Sequence, residues 1–318
     1  MELYLIRPIS AQNLSDVVRL VHQVAQKRWS VAYYQKKYET PWAGGQYHGF
    51  LAYERSTGKA VAVAAALPML GVLPNGQRIR LTQMIETFTL PEHRGKGLMT
   101  HLANKILEAQ QVDGVQMFFG LLNQNNVHGF VRKLGFTATE TMQYFEVKVR
   151  TVPLEAFCRR LRIPAIFRWW AGLVLREYRA EHATVLTNSL LAEGFGGVLH
   201  DVNFFSYKSF TFNYLCRFNG LDAWLKLESG LLVGDVCIPP ETSAEQWEAW
   251  QRSLKHLAHR AGLRKIIFQA SPDTELGRRL AMQYEGRPSW WVCCKTTDPS
   301  LEKLLPQMRF GYGDFETF

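Results

Sequence analysis

The sequence predicts an α/β protein of the α+β kind, a mixed central sheet flanked by helices, built twice along one chain. Three observations carry this. Segments with the strand period of two alternate with segments of helical period. A polar loop containing two glycines sits directly between a strand and a helix. The order of elements in the first half recurs in the second. At 318 residues the chain has room for about two domains.

Residues 3–7 read as a short strand, and residues 10–27 carry Leu14, Val17, Val18, Leu20, Val21 and Val24 at helical spacing. A second helix over 31–38 runs into Thr40-Pro41-Trp42, where proline ends it. Gly44-Gly45 is loop. Strands follow over 49–53, 60–68 and 79–90, joined by turns at Ser56-Thr57-Gly58 and Asn75-Gly76; Asn-Gly between extended runs is a strong hairpin signal. Then comes the loop Pro91-Glu92-His93-Arg94-Gly95-Lys96-Gly97, followed by Leu98, Met99, Leu102, Ile106 and Leu107 at helical spacing. An apolar strand over 115–122, a short helix over 126–133 closed by Gly135, and an alternating strand over 139–149 complete a domain spanning residues 1–150.

Residues 151–181 form a connecting region in which Phe167, Trp169, Trp170, Leu173, Val174 and Leu175 are interrupted by Arg159, Arg160, Arg162, Arg168 and Arg176. It is either a membrane-surface or partner helix, or a linker helix packed on its own domains with snorkelling arginines; the second reading carries more weight. Residues 182–318 read as a degenerate copy of the first half. Tyr214-Leu215-Cys216-Arg217-Phe218 echoes Tyr34-Gln35-Lys36-Lys37-Tyr38, the run 223–236 echoes the hairpin 50–65, and 263–269 echoes 115–122. Trp247, Trp250, Leu254 and Leu257 mark a helix, and 290–295 is a further extended run. The glycine loop does not recur: Cys237-Ile238-Pro239-Pro240-Glu241 stands in its place.

Composition narrows the function. Hydrophobic residues at 47% and charged residues at 20% exclude wholesale disorder. Thirty-seven Lys and Arg against twenty-eight Asp and Glu give a net charge of +9, which favours an anionic partner. There is no zinc-finger spacing, RNP-like aromatic motif or basic arm, so a phosphorylated small molecule leads and nucleic acid is not expected. Five scattered cysteines without a CxxC pair, and an N-terminus unlike a signal peptide, point to reduced thiols in the cytoplasm. The most apolar stretch, 60–73, is broken by Pro68 and Gly71 and falls short of a bilayer span, so no integral membrane association is expected. The nine histidines show no metal-ligand spacing, and no metal is expected. His93 is placed on the loop surface, His128 toward a cleft, neither with a detectable partner.

The chemistry lies in Arg94-Gly95-Lys96-Gly97-Leu98-Met99-Thr100. Glycines let backbone N–H groups converge, and the helix N-terminus adds partial positive charge, so this geometry binds phosphate. Arg94 and Lys96 add side-chain cations. The loop lacks the Gly-Lys-Ser/Thr of a P-loop and the third glycine of a dinucleotide fingerprint.

In its setting, with Phe130-Val131-Arg132-Lys133-Leu134-Gly135-Phe136 downstream, the segment resembles the pyrophosphate motif and closing elements of the GNAT family of acetyl-CoA-dependent N-acyltransferases. The motif Arg/Gln-x-x-Gly-x-Gly/Ala covers Arg94, Gly97 and Met99, the bulky Met99 departing from the usual small residue. The resemblance spans the core of residues 1–150 and implies two tandem GNAT-like domains. It implies acetyl-CoA as acyl donor along the edge of a splayed sheet: the pyrophosphate on Arg94, Gly95, Lys96, Gly97, Leu98, Met99 and Thr100, the pantetheine arm pairing near Phe88, Thr89 and Leu90, and Asn123 and Asn125 on the cofactor's far side. For the two asparagines, turn and N-cap chemistry is an equal alternative.

Direct transfer needs a neutral acceptor amine, and Glu86, on the strand before the loop, resembles the family's acidic position. Its apolar neighbours Met84, Ile85 and Phe88 suit general-base work; an ion pair within the sheet is the competing reading. The tyrosine that protonates the departing thiolate in many relatives is replaced by Val131, which leaves Tyr144 on the following strand, solvent, or impaired catalysis. The aromatic, acidic tail Tyr312-Gly313-Asp314-Phe315-Glu316-Thr317-Phe318 either packs on the second domain or completes an acceptor site. The expected function is N-acetylation of a small primary amine such as an amino sugar; the alternative is a non-catalytic acyl-CoA-binding regulatory or interaction protein. A homodimer is compatible with either.

Overall fold

Small and apolar side chains run unbroken from Ala60 through Leu67, and a strand of that composition needs cover on both faces. In the computed structural model, which describes residues 2–179 and 186–318, that stretch is the buried centre of a sheet ordered β1 (Tyr4–Pro8), β2 (Gly49–Glu54), β3 (Ala60–Val72), β4 (Arg78–Thr89), β5 (Met117–Leu122). Helix α1 (Leu14–Ala25) packs on β3 and β4, and α3 (Leu98–Val112) packs on β2 and β3. α2 (Val31–Tyr38) packs on α1, and α4 (Gln124–Leu134) on β5 and α3. The core of this unit joins Leu98, Leu102, Ile106, Phe118, Phe130 and Phe136.

The strands pair antiparallel except β4 and β5, which run parallel with α3 as their crossover. Their ladder covers only Leu81–Gln83 against Met117–Phe119, so the two strands part from Met84 onward.

The second unit repeats this plan. β7 (Asn213–Phe218), β8 (Leu221–Leu227) and β9 (Leu231–Val236) form an antiparallel meander, and β9 runs parallel to β10 (Lys265–Ala270) with α8 (Ala244–Arg260) between them. Here α5 (Leu154–Arg160) and α6 (Pro164–Leu175) come from the connecting region and α7 (Val202–Lys208) from the second half. The fold class is therefore as expected, a mixed sheet with helices in each unit. One detail differs: residues 34–38 lie in α2, whereas 214–218 are strand β7. Tyr34, Lys37 and Tyr38 share one buried helical face, while Cys216 and Phe218 alternate as a half-buried strand does, so the five-residue echo joins unlike elements.

The compact units are Met1–Glu140 with Trp290–Met308, and Thr141–Ser289 with Arg309–Phe318, which differs from a division at 150. β6 (Thr137–Lys148), expected to close the first half, pairs antiparallel with β10 in the second unit, Phe145 opposite Phe268. β11 (Arg287–Thr296), from the second half, pairs antiparallel with β5 in the first, Cys293 opposite Gly120. Alternation marks a strand but not its partner, so the exchange leaves no local signature. The linker's end at 181 and the boundary at 182 lie outside the described residues.

The tail packs into the second unit. Its turn Tyr312–Asp314 lies against β9 and β10, the Phe318 ring fills the space a side chain at Gly234 would take, and the buried Lys208 Nζ donates to the Phe315 carbonyl at 2.5 Å. The buried His200 bonds Asp314 through Nε2 at 2.8 Å.

Candidate active site

β4 carries an irregularity where it leaves β5. Phe88 pairs with Val63 and Ile85 with Ala65, so Glu86 and Thr87 together face Ala64. This is a β-bulge, and Glu86 takes the left-handed φ of +41° that re-aims its side chain. Bulges are typical beside active sites, and left-handed backbone at a glutamate costs on the order of 1–3 kcal/mol that the surrounding packing must offset.

Glu86 meets two side chains of α2. Lys37 Nζ donates to Oε1, and Tyr38 OH donates to Oε2 at 2.6 Å. The ion pair is shielded, with the Lys37 and Glu86 side chains only 2% and 6% exposed. Lys37 Nζ also lies 5.6 Å from the Tyr34 ring centroid. The motif reading did not single out Lys37. A signal for it was present: the buried positions of α2 are Tyr34, Lys37 and Tyr38, spaced i, i+3, i+4, and a lysine on a core-facing stripe requires an anion opposite.

Beyond the bulge, Leu90 N donates to Val61 O at 2.9 Å, so the strand alternation turns the Thr89 polar groups away from β3. The Thr89 carbonyl accepts from Arg94 Nε at 3.3 Å. Phe88 and Thr89 thus lie on the stretch of β4 that has parted from β5, with Leu90 directly after it.

The glycine loop begins with a 3-10 turn, Pro91–His93. His93 is anchored rather than loose: its Nδ1 bonds Tyr4 OH at 2.9 Å, and its ring stands edge-on to the Tyr4 ring. The expectation of a partnerless surface histidine is corrected here. Gly95 and Gly97 each have φ +76°, and a Cβ at either would meet no atom within 4 Å. Gly97 is the N-cap of α3 and offers no side chain to its first amides, and Leu98 is buried as the first helical residue. Exposed Arg94 and Lys96 flank an open helix N-terminus, a donor set that fits a diphosphate.

Met99 and Thr100 occupy the first turn of α3. The departure at Met99 has a local accommodation: its Cε lies 2.8 Å from where a Cβ on Gly129 of α4 would sit, too close for a side chain there. Glycine inside α4 is unfavourable by itself, by about 1 kcal/mol against alanine, and gives the methionine its room.

Asn123 caps α4, its Oδ1 accepting from the amides of Asn125 and Asn126 at 3.0 and 3.2 Å; Asn125 is exposed in the first turn. Gly135 ends α4 with φ +69°, and Val131 lies half-exposed on it without a dissociable proton. Tyr144 falls in the second unit, opposite Gln269 on β10, where its hydroxyl donates to Glu146 at 2.7 Å. Burial and that bond raise the phenol well above its ordinary pKa and make it a weak acid. The first unit thus carries Glu86, the Phe88–Leu90 stretch, the glycine loop and the α4 cap, and Tyr144 belongs to the other unit. Among the described residues no cluster of three His, Cys, Asp or Glu is arranged to hold a metal ion.

A bulged strand parting from its parallel neighbour, with a glycine loop and an open helix N-terminus after it, is the arrangement that the resemblance to the GNAT family implies. Residues 5–138 match the family model of the acetyltransferase (GNAT) domain, and this part of the chain belongs to that superfamily. Three solved structures share the fold. A GCN5-related N-acetyltransferase from Kribbella flavida aligns at 15% identity and TM-score 0.54, covering 91% of this chain and 70% of that one. One from Anabaena variabilis aligns at 13% identity and TM-score 0.59, covering 93% and 73%. Saccharomyces cerevisiae N-myristoyltransferase with bound myristoyl-CoA aligns at 10% identity and TM-score 0.57, covering 92% and 82%. At these identities the likeness is one of fold. No curated protein matches the sequence.

Proposed function

We propose that the protein is an acyl-CoA-dependent N-acyltransferase, transferring an acetyl group from acetyl-CoA to a primary amine of a small molecule such as an amino sugar. The observation that carries this reading is the juxtaposition of the open glycine loop at the start of α3 with the unpaired stretch of β4 beyond the bulge. The loop amides, Arg94 and Lys96 would hold the diphosphate; Phe88, Thr89 and Leu90 would line the pantetheine arm. Bound acetyl-CoA supplies an activated acyl group with a good leaving thiolate.

Glu86 is the residue that would accept the amine proton. Both its oxygens are engaged, so it serves as a base when the incoming amine takes over the position of one partner, Lys37 or Tyr38. With Tyr144 bonded to Glu146 and Val131 carrying no proton, the thiolate is protonated by solvent. The second unit lacks the loop and has its tail against β9 and β10, so one donor binds per chain.

Calorimetric titration with acetyl-CoA, with desulfo-CoA and ATP as controls, tests the donor site, and thiol release in a pooled amine and amino-sugar library tests transfer. Binding with acceptor-dependent release supports the transferase. Binding without release favours a non-catalytic acyl-CoA-binding protein, for which the doubly engaged Glu86 would be the structural reason. No binding removes the donor site.

A further inference from the structure

The helix α6 has two apolar stripes, and the core uses only one. Phe167, Ala171, Val174 and Leu175 face inward at helical spacing and join the second unit's core. Ile166 and Trp169, with Ile163 at the helix start, form a second stripe that faces solvent, continued by Phe157 and Leu161 at the end of α5, while Trp170 at its edge donates its Nε1–H to the Arg260 carbonyl at 3.0 Å. Trp169 is 66% exposed and Phe157 58%. Seven of the thirteen large apolar side chains exposed among the described residues fall within residues 152–170, so they form a patch and not the usual scatter.

The patch is also cationic. Arg159, Arg160, Arg162 and Arg168 are all exposed; Arg159 pairs with Glu155 at 3.3 Å and donates to Ser229 Oγ, and the Arg168 guanidinium lies over the Phe212 ring, so Arg160 and Arg162 are the two placed to meet an outside anion. Arg162 turns the corner between the two helices with a left-handed φ of +60°. Trp169 on the solvent side of a helix that packs by its other side, with Arg160 and Arg162 at the corner before it, is the composition of a face that lies in a membrane interface, the indole ring at headgroup depth and guanidinium groups on lipid phosphates. A two-fold contact between copies of this chain would bring the same arginines face to face. No helix among the described residues is long and apolar enough to cross a membrane, so the contact is peripheral.

We propose that α5, α6 and the corner between them form a docking face for an anionic lipid bilayer, with Trp169 and Phe157 entering the interface and Arg160 and Arg162 binding lipid phosphates. The face is independent of acyl transfer.

Flotation with vesicles of three parts phosphatidylcholine to one part phosphatidylglycerol, against pure phosphatidylcholine, tests it. The expected result is partitioning onto the anionic vesicles that weakens with salt. Trp169→Ser and Phe157→Ser each reduce it about tenfold, the loss of one anchoring side chain, and Arg160→Gln about fivefold. Brominated lipid quenches the wild-type tryptophan emission more than that of Trp169→Ser. All three substitutions are at exposed positions, and an unchanged thermal midpoint verifies the fold. Absence of anionic-vesicle binding at low salt, or equal binding by the two apolar variants, overturns the proposal. A dimer that Trp169→Ser dissociates, in a protein that ignores vesicles, assigns the face to a second copy instead.

Discussion

Lys37 and Glu86 stand 49 residues apart in sequence and form a shielded ion pair between α2 and the bulge of β4. The pair explains how a glutamate holds a left-handed backbone at a strand irregularity: its carboxylate is fixed from outside the strand, by Lys37 and Tyr38 together. Replacing Lys37 with Met leaves a buried carboxylate without its cation. The expected loss is on the order of 3–5 kcal/mol, read from the urea midpoint.

Glu86→Gln keeps the shape and removes the base. Acetyl-CoA affinity is expected to stay within about twofold while turnover falls by roughly 10²–10⁴. Unchanged turnover at saturating acceptor would take Glu86 out of the mechanism.

Gly97 separates backbone strain from ligand repulsion. Gly97→Ala meets no neighbouring atom but must adopt φ +76°, which costs about 1–2 kcal/mol and should leave acetyl-CoA binding in place. Gly97→Glu puts a carboxylate where the diphosphate would sit, and calorimetry should show no binding. Equal binding by both variants would contradict the site.

His48 links the first unit's stability to pH. Its Nδ1 bonds Gln110, and burial, with a smaller contribution from Arg80, lowers its pKa against the opposing pull of Asp113. The unfolded chain therefore takes up a proton at a higher pH than the folded one. Stability is fully present above the unfolded value of about 6.5 and is lost as pH falls through that value, by at most about 1.4 kcal/mol per pH unit. Urea midpoints measured between pH 7 and 5 should decline, and His48→Gln should flatten the decline; an identical slope in the variant would remove His48 as its source.

Gly313 tests how firmly the tail is seated. A Cβ there would lie 2.2 Å from Cζ3 of the buried Trp224 ring, so Gly313→Ala forces repacking. A cost of about 1–3 kcal/mol should appear as a lower thermal midpoint and faster proteolysis within residues 309–318, with acetyl-CoA binding retained. A variant as resistant as the wild type would mean that the tail seats without this contact.

The features legible in the sequence are those encoded over short distances. The strand, glycine loop and helix around Arg94–Thr100 could be read because φ above zero and an uncapped helix start are local demands that glycine meets. Capping by Asn123, one of two equal readings from sequence, is legible because a side-chain acceptor before a helix is also a local signal. The role of Lys37 is not legible from a motif because it depends on a carboxylate brought near only by the tertiary fold. The pairing of β6 with β10 and of β11 with β5 was not legible because hydrophobic alternation fits a strand for either sheet.

That exchange sets an order of events during synthesis. β5 is made early, but its antiparallel partner β11 ends at residue 296, about 170 residues later. At ribosomal rates of about 5–20 residues per second, one edge of β5 waits roughly 9–35 s for its partner. Neither half of the chain, cut near residue 150, carries the strand that completes its own sheet. A nascent first half therefore carries an uncovered edge on β5, open to pairing with other strands, until the last strands emerge.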